Sequence, residues 1–393
     1  MILRKFKFIA HIILVFSVKA ARSLRGKRTK YPSDPHSHDS LSFEISREIQ
    51  IGESRLSKKI VESNERLDIL PSHLYDFKEV VFVPPVLFSS PPNIVHQFRN
   101  AQIIGYNPIA LTESSNLIQE TLFRTRDRNR PAIAYLYPSD LKVLASSVHR
   151  RQKRLSGQYC LLASFWDNFG HWIPEHLLKV YTLIEAGIDI SQINFIIRSN
   201  PDGFKVELLK AAGISPSQIF FWNQSFLRVE NLLVPSYPQI TKERLDWISN
   251  LVPLRNTSFF DSKNRIYLSR QKQNHRKIIN EEEVQEVLQR YNFLTIYPEQ
   301  LSFVDQVSLA RKATLLFGPQ GSSFTLQIFM PKGSILEAFP QNRIHLFNRQ
   351  VAIVKGHKHH VLVDPRGPDS TKHADVNLKV DVSLMEYYLK KII

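Results

Sequence analysis

The chain has 393 residues, 43% of them apolar and 11% aromatic, the composition of an ordinary globular protein with room for two domains and not that of a disordered one. A single cysteine, Cys160, excludes an intramolecular disulfide and a cysteine-built zinc site, and favours a reducing compartment. The net charge of +16 points to nucleic acid only until it is located: residues 1–30 hold nine Lys or Arg and no acid, leaving a mildly basic body of 43 basic against 36 acidic residues. With its basic leader it fits small anionic substrates and a membrane surface at least as well as a duplex, and no nucleic-acid partner is expected.

The leader, residues 1–30, carries FIAHIILVFSV between Lys7 and Lys19, too short for a bilayer span of about 20 apolar residues. On a helical wheel Arg4, Lys7, His11, Lys19, Arg22 and Arg25 share one sector, opposite Ile2, Phe6, Ile9, Ile13 and Phe16. That pattern predicts an interfacial helix on an anionic membrane surface; the alternatives are a helix packed on the protein itself and a short uncleaved anchor. Residues 31–70, rich in Pro, Ser, His and charge, read as a linker with irregular structure, and His36 and His38 have no third ligand nearby. From Glu79 to Ile118 the runs VVFVPPVLF, AQIIGY and PIALT predict a small β-rich entry section.

A strand over Gln158 to Ser164 leads to FWDNFGHWIPEHLLKVYTLIEAGI, where Leu177, Leu178, Tyr181 and Ile184 recur at helical spacing after Pro174 and Gly187 ends the run. His171, Trp172, Glu175 and His176 therefore fall at a strand-to-helix junction. There the Glu175 carboxylate is placed to remove a proton from an acceptor hydroxyl while His171 holds or polarises it. The alternative is that Glu175 complements the helix N-terminus and that Phe165, Trp166 and Trp172 are core. The segments INFIIRS, KVELLKAAG, SQIFFWN and FLRVENLLVPS, then a helix from Lys242 to Leu251, alternate as in a parallel sheet with crossover helices. Asn223-Gln224-Ser225 and Asn256-Thr257-Ser258 match the glycosylation sequon, which matters only in a secretory compartment.

Arg265-Ile-Tyr-Leu-Ser-Arg270 reads as a strand with a basic residue at each end. Asn280 is placed to cap a helix opening with Glu281, Glu282 and Glu283, and Ser302 to cap one from Phe303 to Lys312. Arg265, Arg270, Lys272 and Arg276 lie at or just beyond one strand end, where several guanidiniums suit a diphosphate, although each alone reads as part of a solvated loop. The stretch from Ala313 to Pro340 reads as strand, turn, helix, strand. Gly318-Pro319-Gln320-Gly321 makes the turn, Ser322 or Ser323 caps an apolar helix stopping at Pro331-Lys332-Gly333, and a strand runs from Ser334 to Phe339. The two glycines permit positive φ and bare the main chain, and a helix start offers N–H groups, so the turn suits an anion; the alternative is a plain βαβ turn.

The order HW-x-x-E, R-x-Y-x-S-R, R-x-x-x-N-E, LSF-x-x-Q from Leu301 to Gln306, G-x-x-G-S/A and F-x-x-x-G-S-x-L-E strongly resembles glycosyltransferase family 61, over roughly Gly157 to Pro340. The resemblance implies an α/β fold of GT-B type, with two Rossmann-like domains facing across a cleft: an N-terminal acceptor-side domain over 71–256, with its β-rich entry section, and a C-terminal nucleotide-sugar-binding domain over 257–393. It implies inverting transfer of a hexosyl or pentosyl group from a nucleotide sugar to a hydroxyl of a glycan, glycolipid or protein, with no cofactor and no catalytic metal. Carried onto this chain, Glu175 is the general base and His171 its partner. Arg265, Arg270 and Arg276 neutralise the leaving diphosphate, Gly318, Gln320, Gly321 and Ser322 hold phosphate or sugar, and Glu337 accepts from ribose hydroxyls. The family often has G-x-H-G-A in the turn; Gln320 replaces that histidine, and it hydrogen-bonds but carries neither charge nor a proton. The second reading is therefore a non-catalytic nucleotide-sugar- or polyanion-binding protein at a membrane surface. The expected location is cytoplasmic and peripheral to the membrane, the alternative a single-pass anchor in a secretory compartment.

Overall fold

The computed structural model describes residues 93–105, 108–114, 118–121, 153–163, 166–199, 201–223, 226–253, 264–340, 347–366 and 376–393. The leader, the linker, Phe165, the sequon at Asn256 and the boundary between residues 256 and 257 lie outside them, as does Ser225 of the other sequon.

The described strands form two sheets. In the first, β1 (Val95–Ile104), β2 (Ile109–Leu111), β3 (Arg154–Leu161), β4 (Asn194–Arg198), β5 (Ile219–Trp222) and β6 (Phe226–Pro235) lie in the order β2-β1-β6-β3-β4-β5. The strands from β3 to β6 pair in parallel, and β1 runs antiparallel to both β6 and β2. The described part of the β-rich entry section is thus an edge ribbon of this sheet, because β1 buries Phe98, Ala101, Ile103 and Ile104 against it.

The second sheet is parallel throughout. It holds β7 (Asn264–Leu268), β8 (Phe293–Ile296), β9 (Ala313–Pro319), β10 (Ser334–Phe339) and β11 (Lys358–Val363) in the order β11-β10-β9-β7-β8. Its central strands β9 and β10 are mostly apolar because they are covered on both faces: every residue of β10, Glu337 included, is buried. The chain runs from β7 to β8 on one side, then crosses to β9 on the other. In open parallel sheets ligands bind beyond the carboxyl ends of the strands at such a reversal, which here falls between β7 and β9. Two parallel-rich sheets with crossover helices fit a Rossmann-like α/β fold.

Helices α1 (Leu178–Glu185), α2 (Gly203–Ala211) and α3 (Lys242–Leu251) belong to the first half, and α4 (Glu281–Arg290), α5 (Phe303–Lys312), α6 (Phe347–Val354) and α7 (Val382–Ile392) to the second. One face of the second sheet packs Tyr267, Phe317 and Leu336 against Val284 and Leu288 of α4 and Met385 and Leu389 of α7. The layer on its other face continues into the first half without a break, so that Trp172, Ile173 and Leu177 share a cluster with Phe303, Phe324, Ile328 and Val351. Phe303 lies edge-on to Phe169 at 6.0 Å and tilted against Phe204 at 5.6 Å. The halves are therefore joined by a common apolar interior, and truncating such a residue to Ala costs about 3–5 kcal/mol. Polar ties flank it: Lys355 Nζ donates to Asp246 at 2.7 Å, and Arg311 Nη2 to the carbonyls of Ser249 and Val252 at 2.8 and 2.6 Å.

Ser302 caps α5 as its sequence predicts, its Oγ accepting from the Asp305 N–H at 3.2 Å. Asn280 does not cap α4; its amide exchanges hydrogen bonds with the backbone of Val380. Neither Ser322 nor Ser323 caps the helix after the glycine turn, which is a 3₁₀ helix over Ser322–Phe329 with Gly321 at its start. Thr325, Ile328 and the flanking phenylalanines are weak α-formers, consistent with the tighter coil. Among the described residues no helix is long and apolar enough to cross a membrane.

Candidate active site

Helical structure starts earlier than the sequence pattern suggests. Asn168 accepts from the His171 N–H at 3.3 Å and opens a turn over Phe169–His171, ahead of Pro174. Pro174 has no N–H, and its ring crowds the carbonyl four residues back. The coil answers by widening into a π-helix over Trp172–Leu177 before α1 begins. His171 and Glu175 meet on this wide turn, Nδ1 to Oε1 at 2.8 Å. The segment leading in is pinned from two sides. Buried Lys205 of α2 donates to the Asp167 carboxylate at 2.6 Å and to its carbonyl at 2.7 Å, and His176 Nε2 lies 2.7 Å from the Trp166 carbonyl. The Trp166 indole stacks on the His171 ring at 5.7 Å and 20°, and the Phe347 ring of α6 lies 6.1 Å from it. Aromatic rings from both halves thus bound the imidazole.

Burial pushes the Glu175 carboxyl up, but the hydrogen bond and charge of His171, with His176 and the Tyr237 hydroxyl, outweigh it and hold the group below the usual carboxylate range. An ionised Glu175 accepts from Nδ1–H, which in a neutral imidazole makes Nε2 the basic nitrogen. The His171 side chain is 31% exposed and that of Glu175 only 12%. The histidine is therefore the more accessible member and the carboxylate the one that orients it. Burial, then the nearby Lys179 charge, pushes His176 down to about 3, so it stays neutral and donates to Trp166.

The second half brings its own groups to this place. Arg270 follows the carboxyl end of β7. Arg276, at a left-handed φ of 58°, donates from Nη1 to Gln320 Oε1 at 2.9 Å and to the Gln320 carbonyl at 3.3 Å. Gly318 and Gly321 both avoid positive φ, contrary to the sequence expectation, and are required for space instead. A Cβ on Gly318 would lie 2.7 Å from the Leu268 carbonyl oxygen, and one on Gly321 2.8 Å from Arg270 Nη1. The first glycine lets β9 close on β7, and the second leaves room for a guanidinium. A Cβ on Gly170 would lie 2.8 Å from Cβ of Ser322. The turn carrying His171 and the glycine turn at the β7/β9 reversal are therefore in direct contact.

Residues 169–336 match the family model described as Glycosyltransferase 61. This match is to the same family, glycosyltransferase family 61, that the order of the sequence motifs resembles. The match supports glycosyltransferase activity in general, with sugar donor and acceptor as partners. No curated protein matches the chain.

Two sequence-predicted residues lie elsewhere than expected. Arg265 is near the amino end of β7, about 16 Å of extended chain from Arg270, and donates to the Tyr291 carbonyl at 2.7 Å; alternation along a strand does not bring its two ends together. Glu337 is fully buried in the middle of β10, because the strand runs on to Phe339. Asn348 donates to its Oε1 at 2.6 Å, His359 Nε2 lies 3.1 Å from Oε2, and the Gly321 N–H also donates to it. Burial pushes its carboxyl up. Glu337 therefore supports the glycine turn from behind, with its carboxylate enclosed by Asn348, His359 and the Gly321 N–H.

Sequence reasoning missed Glu281, which it read as complementing the α4 dipole. It is buried, accepting from the Tyr267 hydroxyl at 2.7 Å and the Ser269 hydroxyl at 2.5 Å, while Ser269 Oγ accepts from the Gln271 N–H at 3.2 Å. The triad fixes the strand end that presents Arg270. Its signal was present, since Tyr267 in β7 and Ser269 just beyond its end are two residues apart, the spacing that puts side chains on one face of extended chain. Among the described residues no group of three or more His, Cys, Asp or Glu side chains is placed to hold a metal ion.

Proposed function

We propose that the protein is an inverting glycosyltransferase that moves a sugar from a nucleotide-sugar donor to a hydroxyl of a glycan, glycolipid or protein. The observation that carries this reading is the contact between Gly170 and Ser322, which sets the His171–Glu175 pair against the turn at the β7/β9 reversal. His171 Nε2 takes the acceptor proton as the acceptor oxygen attacks the anomeric carbon and the bond to the diphosphate breaks. Glu175 holds the imidazole in the required tautomer and stabilises the imidazolium. Arg270 and Arg276 neutralise the departing diphosphate without need of a metal, and Gln320, Gly321 and Ser322 line its place. The sheets are the two halves of a GT-B arrangement, the first presenting the acceptor and the second the donor. The basic leader holds the enzyme at an anionic membrane surface, and nucleic acid is not a partner.

Thermal denaturation with UDP, GDP and duplex DNA tests this. The expected result is a higher melting temperature with at least one nucleoside diphosphate and none with DNA. Stabilisation by DNA alone overturns the reading in favour of a polyanion-binding module.

A further inference from the structure

Two residues after Phe347, whose ring lies against His171, and next to Asn348, which holds Glu337, α6 carries Arg349. The residue is 3% exposed. Its Nη2 is buried without a hydrogen-bond partner, and no carboxylate among the described residues pairs with it. A guanidinium is always charged, and taking one out of water without a counter-charge is strongly unfavourable. Unsatisfied buried groups of this kind are rare in folded proteins, and a bound ion or water is one of the ways in which they are completed. The 3₁₀ helix against which α6 packs adds two more, the Thr325 hydroxyl and the fully buried Gln327 amide, neither with a described partner. A chain of contacts links α6 to the arginines already described. Asn348 and the Gly321 N–H share the Glu337 carboxylate, Gly321 packs on Arg270, and Gln320 accepts from Arg276.

We propose that Arg349 is a third phosphate-binding arginine, which pairs with an oxyanion of the donor's diphosphate and is left unpaired only in the ligand-free protein. The inference rests on the transferase reading above. It adds that the diphosphate is gripped from two sides, by the loop after β7 and by α6, and not by that loop alone. Arginine suits this task because its planar fork meets two phosphate oxygens at once. Burial also pulls the Arg349 pKa down, the direction expected for a desolvated cation that lacks a partner.

Calorimetric titration of the full chain with inorganic pyrophosphate, UDP and GDP, comparing wild type with Arg349→Met and Arg349→Lys, tests the proposal. Methionine keeps much of the length and removes the charge. Arg349→Met is expected to weaken binding of pyrophosphate and of the preferred nucleotide by about 10–100-fold, as for a lost charge-assisted pair. The lysine variant is expected to fall between the two. Without ligand, Arg349→Met is expected to melt no lower than wild type, since it relieves a buried unpaired charge, whereas a purely structural arginine would give a lower melting temperature and unchanged affinity. If wild type binds nucleoside diphosphate and Arg349→Met binds it equally, the transferase reading stands and this proposal is overturned. If pyrophosphate binds through Arg349 while no nucleoside diphosphate binds, the phosphate site stands and the donor reading falls. Binding of neither ligand to wild type overturns both.

Discussion

Replacing Glu175 by glutamine separates orientation from proton transfer at the candidate dyad. The carboxylate lies 2.8 Å from His171 Nδ1 and is nearly enclosed, so glutamine occupies the same volume and offers either an oxygen or an NH2 group to that nitrogen. With the NH2 presented, Nδ1 must accept, Nε2 carries the proton, and the base is lost; with the oxygen presented, the tautomer is right but the imidazolium is no longer stabilised. A lost tautomer-fixing carboxylate lowers turnover by up to about 10⁴, and general-base catalysis as a whole contributes about 10²–10⁴. Glu175→Gln is therefore expected to lose about 10²–10⁴ in kcat with donor affinity nearly unchanged. Because the two residues act as a unit, adding this change to His171→Asn should cost far less than the product of the single losses. The assay is single-turnover release of nucleoside diphosphate, with calorimetry for donor binding. Near-normal turnover of Glu175→Gln, or fully multiplicative losses in the double variant, would refute the coupling.

Glu281→Ala leaves two buried hydroxyls without their acceptor and should lower stability by about 2–4 kcal/mol, whereas Glu282→Ala, on the exposed side of α4, should be near neutral; equal melting temperatures would contradict the Tyr267–Ser269–Glu281 triad. Gly318→Ala forces a Cβ against a backbone carbonyl between two paired strands and should destabilise the fold, while Gly321→Ala meets only the mobile end of Arg270 and should weaken nucleoside diphosphate binding with little effect on melting. Equal losses of stability in these two variants would contradict their separate roles. His176, held near 3 by burial against about 6.5 in the unfolded chain, contributes stability that is complete above about pH 6.5 and is lost as pH falls towards 3, by about 1.4 kcal/mol per unit. His176→Asn should flatten that slope in denaturant titrations between pH 6 and pH 4, and an unchanged slope would show the group is not buried neutral.

The parallel alternation of the second half was legible because its strands are long apolar runs separated by capped or glycine-ended helices, and the glycine turn and the arginines after β7 fell where the reading put them. The early helix start was not, since Pro174 suggests a helix beginning and only packing reveals that a π-helix absorbs it. The positions of Arg265 and Glu337 were misjudged for a common reason: a strand's sequence shows its alternation but not which end faces the ligand or how far the strand runs. The relative standing of His171 and Glu175 was likewise invisible, because exposure depends on Trp166 and Phe347, residues that the chain brings from opposite halves. Arg349 gave no sequence signal, as its burial follows from α6 packing on the 3₁₀ helix.

The central claim, that a sugar is transferred from a nucleotide donor at the His171 site, is tested most directly by measuring nucleoside diphosphate release from a panel of nucleotide sugars by wild type and His171→Asn. The account predicts that wild type consumes one donor class and that His171→Asn still binds it while losing at least about 10² in turnover. Consumption of no donor by wild type, or equal turnover by the variant, would contradict it.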